Sequence, residues 1–92
     1  MNKQFEGKVA FISGGTSGLG KATVYELVKR GARVIFVGRD DAKAQEVINK
    51  CKELGGEAEY KNCDITKHQN VIDVFGYIRE RYGKLDFAGN VA

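Results

Sequence analysis

The residues best suited to chemistry are the glycines of the segment 13–20, Ser-Gly-Gly-Thr-Ser-Gly-Leu-Gly. Gly14 permits a tight turn out of a strand, because glycine adopts backbone angles that other residues avoid. Gly18 leaves no Cβ where a pyrophosphate would approach the backbone, and Gly20 lets the following helix pack close to the sheet. Free amides at the start of that helix would attract an anion. The spacing therefore predicts a loop that binds the phosphates of a nucleotide.

The flanking sequence supports this interpretation, since the loop joins an apolar strand to an amphipathic helix. Residues 8–13 form a short, nearly continuous apolar run, and residues 18–30 place apolar side chains on one helical face. This is the context in which a glycine loop binds a dinucleotide. The alternative is a glycine-rich turn without a ligand. A P-loop is excluded, because no Gly-Lys-Ser/Thr follows the glycines.

The rest of the chain alternates between strands and helices. Strands are predicted at residues 8–13, 33–38, 57–63 and 85–90, and helices at residues 18–30, 41–54 and 66–82. This alternation predicts an α/β fold of the Rossmann type, with four parallel strands and three helices on both faces. It is half of a doubly wound sheet, with the expected strand order 3-2-1-4. The third strand is expected to lie near an edge.

Polar residues at the predicted helix starts indicate how the helices are capped. Either Asp40 or Asp41 can cap the second helix. Residues 66–69, Thr-Lys-His-Gln, have the spacing of a capping box. That pattern predicts that the Thr66 hydroxyl and the Gln69 side chain satisfy free amides at the start of the third helix.

Composition indicates one small globular domain over residues 1–92. The chain is 42% hydrophobic and 29% charged, with a net charge of +3. This charge excess is mild and scattered, so no nucleic-acid partner is predicted. Neither a membrane span nor a signal peptide is predicted, since no apolar stretch is long enough. Cys51 and Cys63 lack the spacing of a metal site or a disulfide framework and fit a reducing cytoplasm.

Four segments together resemble the short-chain dehydrogenase/reductase family. The loop at residues 13–20 is similar to the family's Thr-Gly-x-x-x-Gly-x-Gly, with Ser13 in place of the threonine. Residues 37–39 resemble the end of its second strand, and residues 63–66 resemble its Asp-Val-Thr segment. Residues 85–92 resemble the approach to its Asn-Asn-Ala-Gly motif, with Val91 replacing the second asparagine. The resemblance implies an N-terminal, dinucleotide-binding part of a single Rossmann domain, truncated at its carboxyl end.

The resemblance also implies which cofactor is bound. An acid that selects NAD would align with Gly38, which has no side chain, and Arg39 follows with a positive charge suited to the 2′-phosphate of NADP. NADP is therefore predicted over NAD, although Arg39 could instead be a solvated surface residue. Asp40 lies at a spacing compatible with a ribose-binding acid, but its place in the chain favours a helix cap. Ser17 occupies a position that is basic in some NADP-preferring members.

The remaining cofactor contacts follow from the same resemblance. Asp64 corresponds to the acid that accepts from the adenine amino group, with Ile65 lining the ring, and Asn90 corresponds to an asparagine near the adenosine ribose. Asp64 could alternatively be a turn residue near the cap of the next helix, and Asn90 could be a loop residue with only a structural role. The full set of implied cofactor-binding residues is Gly14, Thr16, Ser17, Gly18, Leu19, Gly20, Arg39, Asp64, Ile65 and Asn90.

The family's catalytic residues are not carried over to this chain. Its mechanism resembles general-acid catalysis by a tyrosine whose pKa is lowered by a lysine four residues later, aided by a serine. Tyr25 and Lys29 have that spacing but lie on the first helix, so they are expected to be surface residues. The resemblance implies a complete protein that exchanges hydride between NADP(H) and a small alcohol or carbonyl substrate, as a homo-oligomer. The alternative is a nucleotide-binding module without catalysis.

Overall fold

The computed structural model describes residues 4–90, apart from the side chain of Asn90. Seven elements follow one another along this part of the chain: β1 (Val9–Ser13), α1 (Gly18–Lys29), β2 (Arg33–Gly38), α2 (Asp41–Glu53), β3 (Ala58–Asn62), α3 (His68–Tyr82) and β4 (Phe87–Asn90). No helix within residues 4–90 is long and apolar enough to cross a membrane.

The four strands form one parallel sheet in the order β3-β2-β1-β4, which confirms the predicted fold. β3 lies at one edge of the described sheet and β4 at the other. The order reverses on either side of β1, because β2 and β3 extend to one side and β4 lies on the other. Ligands of doubly wound sheets bind outside the carboxyl ends of the strands at such a switch point.

The two central strands, β1 and β2, are buried on both faces of the sheet by different helices. On one face, Ala10, Ile12, Val34 and Phe36 pack with the buried residues of α1 and α2. On the other face, Val9, Phe11, Ile35 and Val37 pack with Val74 and Ile78 of α3. Alternate residues of β1 and β2 therefore serve opposite cores, which explains why both strands are continuous apolar runs in the sequence.

The turn from β1 into α1 depends on glycines. Gly14 has a φ of 74°, which side chains rarely adopt. A Cβ on Gly20 would lie 1.9 Å from the Gly14 carbonyl oxygen, so the helix start closes on the turn itself rather than on the sheet as predicted. A Cβ on Gly15 would lie 2.7 Å from Cβ of Phe36 on β2. The pattern of the loop does not indicate this third requirement, because it arises from the neighbouring strand.

The two predicted caps have different outcomes. The prediction that Asp40 or Asp41 caps α2 is confirmed, because Asp40 Oδ1 accepts a hydrogen bond from the Lys43 amide at 3.0 Å. The capping box at residues 66–69 is wrong. α3 begins after Lys67, which makes no side-chain cap, and the Thr66 hydroxyl donates to Asp64 Oδ1 at 2.6 Å. The carboxylate two residues earlier competes for the hydroxyl and keeps it in the turn.

The fourth strand begins two residues later than predicted, at Phe87. The amide of Val9 donates to a carboxylate oxygen of Asp86 at 2.8 Å, and the amide of Asp86 donates to the Val9 carbonyl at 2.8 Å. The Asp86 carboxylate thus accepts the hydrogen bond from the Val9 amide that a backbone carbonyl of β4 would otherwise accept. Regular pairing with β1 starts only after it.

Candidate site at the carboxyl edge of the sheet

The backbone amides at the start of α1 receive no hydrogen bond acceptor from the side chain of the N-cap residue. Ser17 is the N-cap residue, yet its hydroxyl donates back to the Gly14 carbonyl at 2.8 Å and makes no cap bond to the helix. The first turn of α1 contains no acidic residue. Gly18 is exposed, and no atom lies within 4 Å of a Cβ built on it. This helix end can therefore receive an anion close to its backbone.

Other residues of the loop line the same opening. Leu19, which follows Gly18 at the start of α1, is 72% exposed. Thr16 is half-buried and stands beside the end of β2, where its Oγ1 would lie 3.3 Å from a Cβ on Gly38. The loop and the end of β2 thus form adjoining walls of one site.

Arg39 extends from the end of β2 into solvent. Its side chain is 72% exposed, and Nη1 lies 3.6 Å from Asp64 Oδ2. This is a loose ion pair, since charge-assisted bonds of this kind are about 2.7–2.9 Å long. The guanidinium therefore retains donors that a further anion can use.

Asp64 is held in its turn as a charged group. Its Oδ1 accepts from the amide of Thr66 at 3.0 Å and from the Thr66 hydroxyl, and the Asp64 amide donates to Asn70 Oδ1 at 3.3 Å. The bonds from Thr66, followed by desolvation in the opposite direction and the attraction of Arg39, leave the pKa of Asp64 below its ordinary value. Asp64 therefore does stabilise its turn, as the alternative interpretation expected. Its other carboxylate oxygen, Oδ2, faces Arg39.

Ile65 is 44% exposed and lies on an apolar groove of about 280 Å³. The groove runs over the ends of β1 and β4 and is also lined by Phe11, Ser13, Val71, Phe75, Ala88 and Gly89. Apolar walls of this kind suit a flat ring.

The carboxyl ends of β1 and β4 are joined by Ser13, whose buried hydroxyl donates to the Gly89 carbonyl at 3.5 Å. Asn90 pairs in register with Ser13 through the strand backbone, so it stands at the same edge of the sheet. The predicted role of its side chain lies outside the described residues, as do Val91 and Ala92.

A polar network that the sequence did not reveal surrounds the β2–α2 turn. The Tyr60 hydroxyl lies 2.8 Å from Asp41 Oδ1 and 3.0 Å from the Gly38 carbonyl oxygen, and Asn62 Nδ2 donates to Asp41 Oδ1 at 2.9 Å. Asp40, considered above as a ribose-binding acid, uses its carboxylate to cap α2. Only the register of β3 against β2 brings these groups together, and local periodicity does not specify it.

The remaining residues with reactive side chains are Tyr25, Cys51, Cys63 and His68. Tyr25 packs partly against the core, and its burial raises its pKa, opposite to the direction a catalytic tyrosine needs. Cys51 and Cys63 are buried free thiols, and burial raises the pKa of Cys51 to about 11. His68 is exposed. Within residues 4–90, no group of acids, cysteines and histidine could hold a metal ion.

Comparisons with known proteins agree with this geometry. The family model described as short chain dehydrogenase matches residues 8–92. A 3beta-hydroxysteroid dehydrogenase from Mediterraneibacter gnavus is 38% identical over 89 residues, which make up 97% of this chain and 32% of that protein. The chain thus spans about a third of the length of this curated relative.

Two solved structures show the fold with different cofactors. A metagenomic short-chain oxidoreductase in complex with NADP superimposes with a TM-score of 0.88 at 30% identity, over 91% of this chain and 38% of that one. An NAD+-bound xylitol dehydrogenase superimposes with a TM-score of 0.86 at 27% identity, over 92% of this chain and 33% of that one. The backbone is therefore similar to proteins that hold either cofactor, and local side chains must account for the choice.

Proposed function

Since the chain belongs to the short chain dehydrogenase family, we propose that it forms the dinucleotide-binding part of an oxidoreductase that uses NADP(H). Residues 1–92 would be the N-terminal portion of one Rossmann domain. The complete protein would transfer hydride between NADP(H) and a small alcohol or carbonyl substrate. Its two free, buried cysteines fit a reducing compartment such as the cytoplasm.

The residues present fit the phosphates of the cofactor. The uncapped amides at the start of α1 and the open space at Gly18 would receive the pyrophosphate. Gly14, Thr16, Ser17, Leu19 and Gly20 would shape the loop around it. A branched side chain at residue 18 would fill this space, whereas glycine leaves it open.

The pairing of Gly38 with Arg39 carries the choice of NADP over NAD. Gly38 presents no carboxylate to accept from a ribose 2′-hydroxyl or to repel a phosphate. Arg39 is 72% exposed and has only a loose partner at 3.6 Å, so its forked donors can engage the 2′-phosphate. Asp64 and Ile65 would contact the adenine, and Asn90 the adenosine ribose.

NADP(H), when bound, would supply the hydride. This chain would bind and orient the adenosine half of the cofactor and shield it from solvent along the apolar groove beside Ile65. We place no proton-transfer residue here, because Tyr25 and Lys29 lie on α1 and the raised pKa of Tyr25 opposes that role.

The Arg39→Ala variant tests the proposal. NADPH and adenosine 2′,5′-bisphosphate should bind about tenfold more weakly, while NADH and 5′-AMP should change by less than about twofold. Calorimetric titration of each ligand would measure both effects. Arg79→Ala removes an equally charged, exposed arginine from the last turn of α3 and serves as the matched control. Equal loss of both ligand classes in Arg39→Ala would overturn the assignment of Arg39 to the phosphate.

A further inference from the structure

We propose that Tyr60 is a positioning residue for cofactor selectivity, holding the turn that carries Arg39. This inference rests on the proposed function, since it concerns how Arg39 is presented to the 2′-phosphate. Tyr60 itself would touch neither the cofactor nor a substrate.

Tyr60 contacts residues on both sides of Arg39 in the chain. Its hydroxyl lies 3.0 Å from the carbonyl oxygen of Gly38, the residue before Arg39, and 2.8 Å from Asp41 Oδ1, two residues after Arg39. The single hydroxyl proton is shared between these acceptors. Asn62 Nδ2 donates to the same Asp41 oxygen at 2.9 Å. Two side chains from the edge strand β3 thus fasten both sides of the β2–α2 turn.

The hydroxyl is well suited to this role because it stays in place and stays protonated. The Tyr60 ring packs against Phe36 of β2, with ring centroids 5.3 Å apart. Desolvation, reinforced by the hydrogen bond and charge of Asp41, raises the pKa of Tyr60 to about 12. The bonds from Asn62 and Tyr60 in turn keep the pKa of Asp41 below its ordinary value. A neutral donor and a charged acceptor therefore face each other throughout the physiological pH range.

Arg39 needs this support because its own side chain provides little. It is largely exposed, and its ion pair with Asp64 is loose. A long arginine side chain loses considerable conformational entropy when a ligand fixes it, and a mobile backbone would add to that cost. Fixing Gly38 and Asp41 leaves only the side chain to be ordered. The tether also fixes the negative charge of Asp41, which would oppose a phosphate if it turned toward Arg39.

The Tyr60→Phe variant removes the hydroxyl and keeps the packed ring. Adenosine 2′,5′-bisphosphate should then bind about three- to tenfold more weakly, whereas 5′-AMP should change by less than about twofold. Tyr77→Phe is the matched control, since this α3 residue donates its hydroxyl to the Glu59 carboxylate and packs its ring against the core on the other face of the sheet. It should leave both affinities unchanged. Calorimetry on the 92-residue chain measures binding, and circular dichroism checks that each variant is folded.

A double-mutant cycle with Asp41→Ala provides the second test. If the tether acts through Asp41, Tyr60→Phe should have little further effect in the Asp41→Ala background. Additive losses, or equal weakening of 5′-AMP and the bisphosphate, would overturn the positioning role. If Arg39→Ala abolishes discrimination between the two ligands but Tyr60→Phe does not, this inference alone is wrong. If Arg39→Ala also has no effect, the proposed function is wrong as well.

Discussion

The glycines of the β1–α1 loop have different surroundings, so we expect one substitution to weaken cofactor binding and another to lower stability. A Cβ at Gly18 would meet no protein atom within 4 Å, so Gly18→Val should fold normally. In the proposed complex the valine would occupy the space of the pyrophosphate. We expect the affinity for NADPH to fall at least about tenfold, equivalent to about 1.4 kcal/mol. Calorimetric titration with NADPH checks this, and unchanged affinity would contradict the assignment of the loop.

Gly20→Ala is the contrasting variant in the same loop. Its Cβ would lie 1.9 Å from a backbone oxygen, which cannot move without opening the turn. We expect a loss of about 1–3 kcal/mol in the free energy of unfolding, as for other overpacked sites. Urea denaturation followed by circular dichroism measures this loss. Equal stability of Gly20→Ala and the unaltered chain would show that the turn is looser than its geometry indicates.

Gly38 should control cofactor preference more directly than Arg39. Gly38→Asp places a carboxylate where it can accept from a ribose 2′-hydroxyl and repel a 2′-phosphate. The new Cβ would lie 3.3 Å from Thr16 Oγ1, so only a small adjustment is needed. We expect NADPH to bind more weakly and NADH to be preferred, as judged by titration with both. Gly76→Asp makes the same change at an open position on α3 and should alter neither affinity.

At this scale the sequence predicts which residue types stand at the site but not how they support one another. The glycine roles follow from spacing along one segment, and the role of Arg39 follows from the family resemblance. The bonds of Tyr60 and Asn62 to Asp41 cross between β3 and the β2–α2 turn. They depend on the register that sets Gly38 beside Asn62, and a shift of one residue would reverse the faces of β3.

At the scale of elements, α2 begins at a capping bond that is separate from the proposed site. Asp40→Ala removes the acceptor of the Lys43 amide and should cost about 1 kcal/mol of stability. Because the carboxylate serves the helix, the ratio of NADPH to NADH affinity should stay the same. Asp73→Ala, an exposed acid within α3, is the control and should cost less. Urea denaturation and titration together check both statements; a changed ratio would mean that Asp40 binds the cofactor after all.

The attachment of β4 should depend on pH through Asp86. The bond from the Val9 amide, opposed by desolvation and aided by Lys84, keeps the Asp86 pKa below its ordinary value of 3.8. A lowered folded-state pKa stabilises the fold above the unfolded value, and this contribution disappears as pH falls through the folded value. We therefore expect acid to loosen residues 87–89 below about pH 4, measured by hydrogen exchange. Asp86→Asn should be looser at pH 7 and should lack that acid dependence.

The boundaries of elements show what a single sequence can and cannot predict. Apolar patterns predicted every element in order, because burial on both faces makes β1 and β2 continuous apolar runs and burial on one face gives each helix its apolar stripe. The predicted capping box is wrong because the Thr66 hydroxyl donates to Asp64 instead of serving the helix. The turn and the capping box both involve polar residues close together in the chain, so the sequence does not distinguish them. Similarly, the sequence places the start of β4 at Leu85, two residues too early. The Asp86 side chain bonds to the Val9 amide and delays the regular pairing with β1.

At the scale of the whole molecule, the two edges of the described sheet differ in chemistry. β3 carries Glu59 and Lys61, and Glu59 accepts from the hydroxyls of Tyr77 and Tyr82 on α3. Charged side chains directed at the neighbouring helix discourage pairing with another strand. β4 has the sequence Phe-Ala-Gly-Asn, with no charge, and pairs only with β1 among the described strands. Phe75, Leu85 and Phe87 near it are more than a third exposed.

This asymmetry predicts that the 92-residue chain associates through β4. Sedimentation should show self-association, amides of residues 87–89 should exchange faster than those of β1 and β2 at neutral pH, and NADPH should not be oxidised with any of a panel of carbonyl substrates. Ala88→Lys places a charge on the open edge and should reduce the association, whereas Ala42→Lys on exposed α2 should not. A monodisperse monomer with protected β4 amides would instead favour a self-sufficient nucleotide-binding module. Turnover above background would contradict the exclusion of Tyr25 and Lys29 from catalysis.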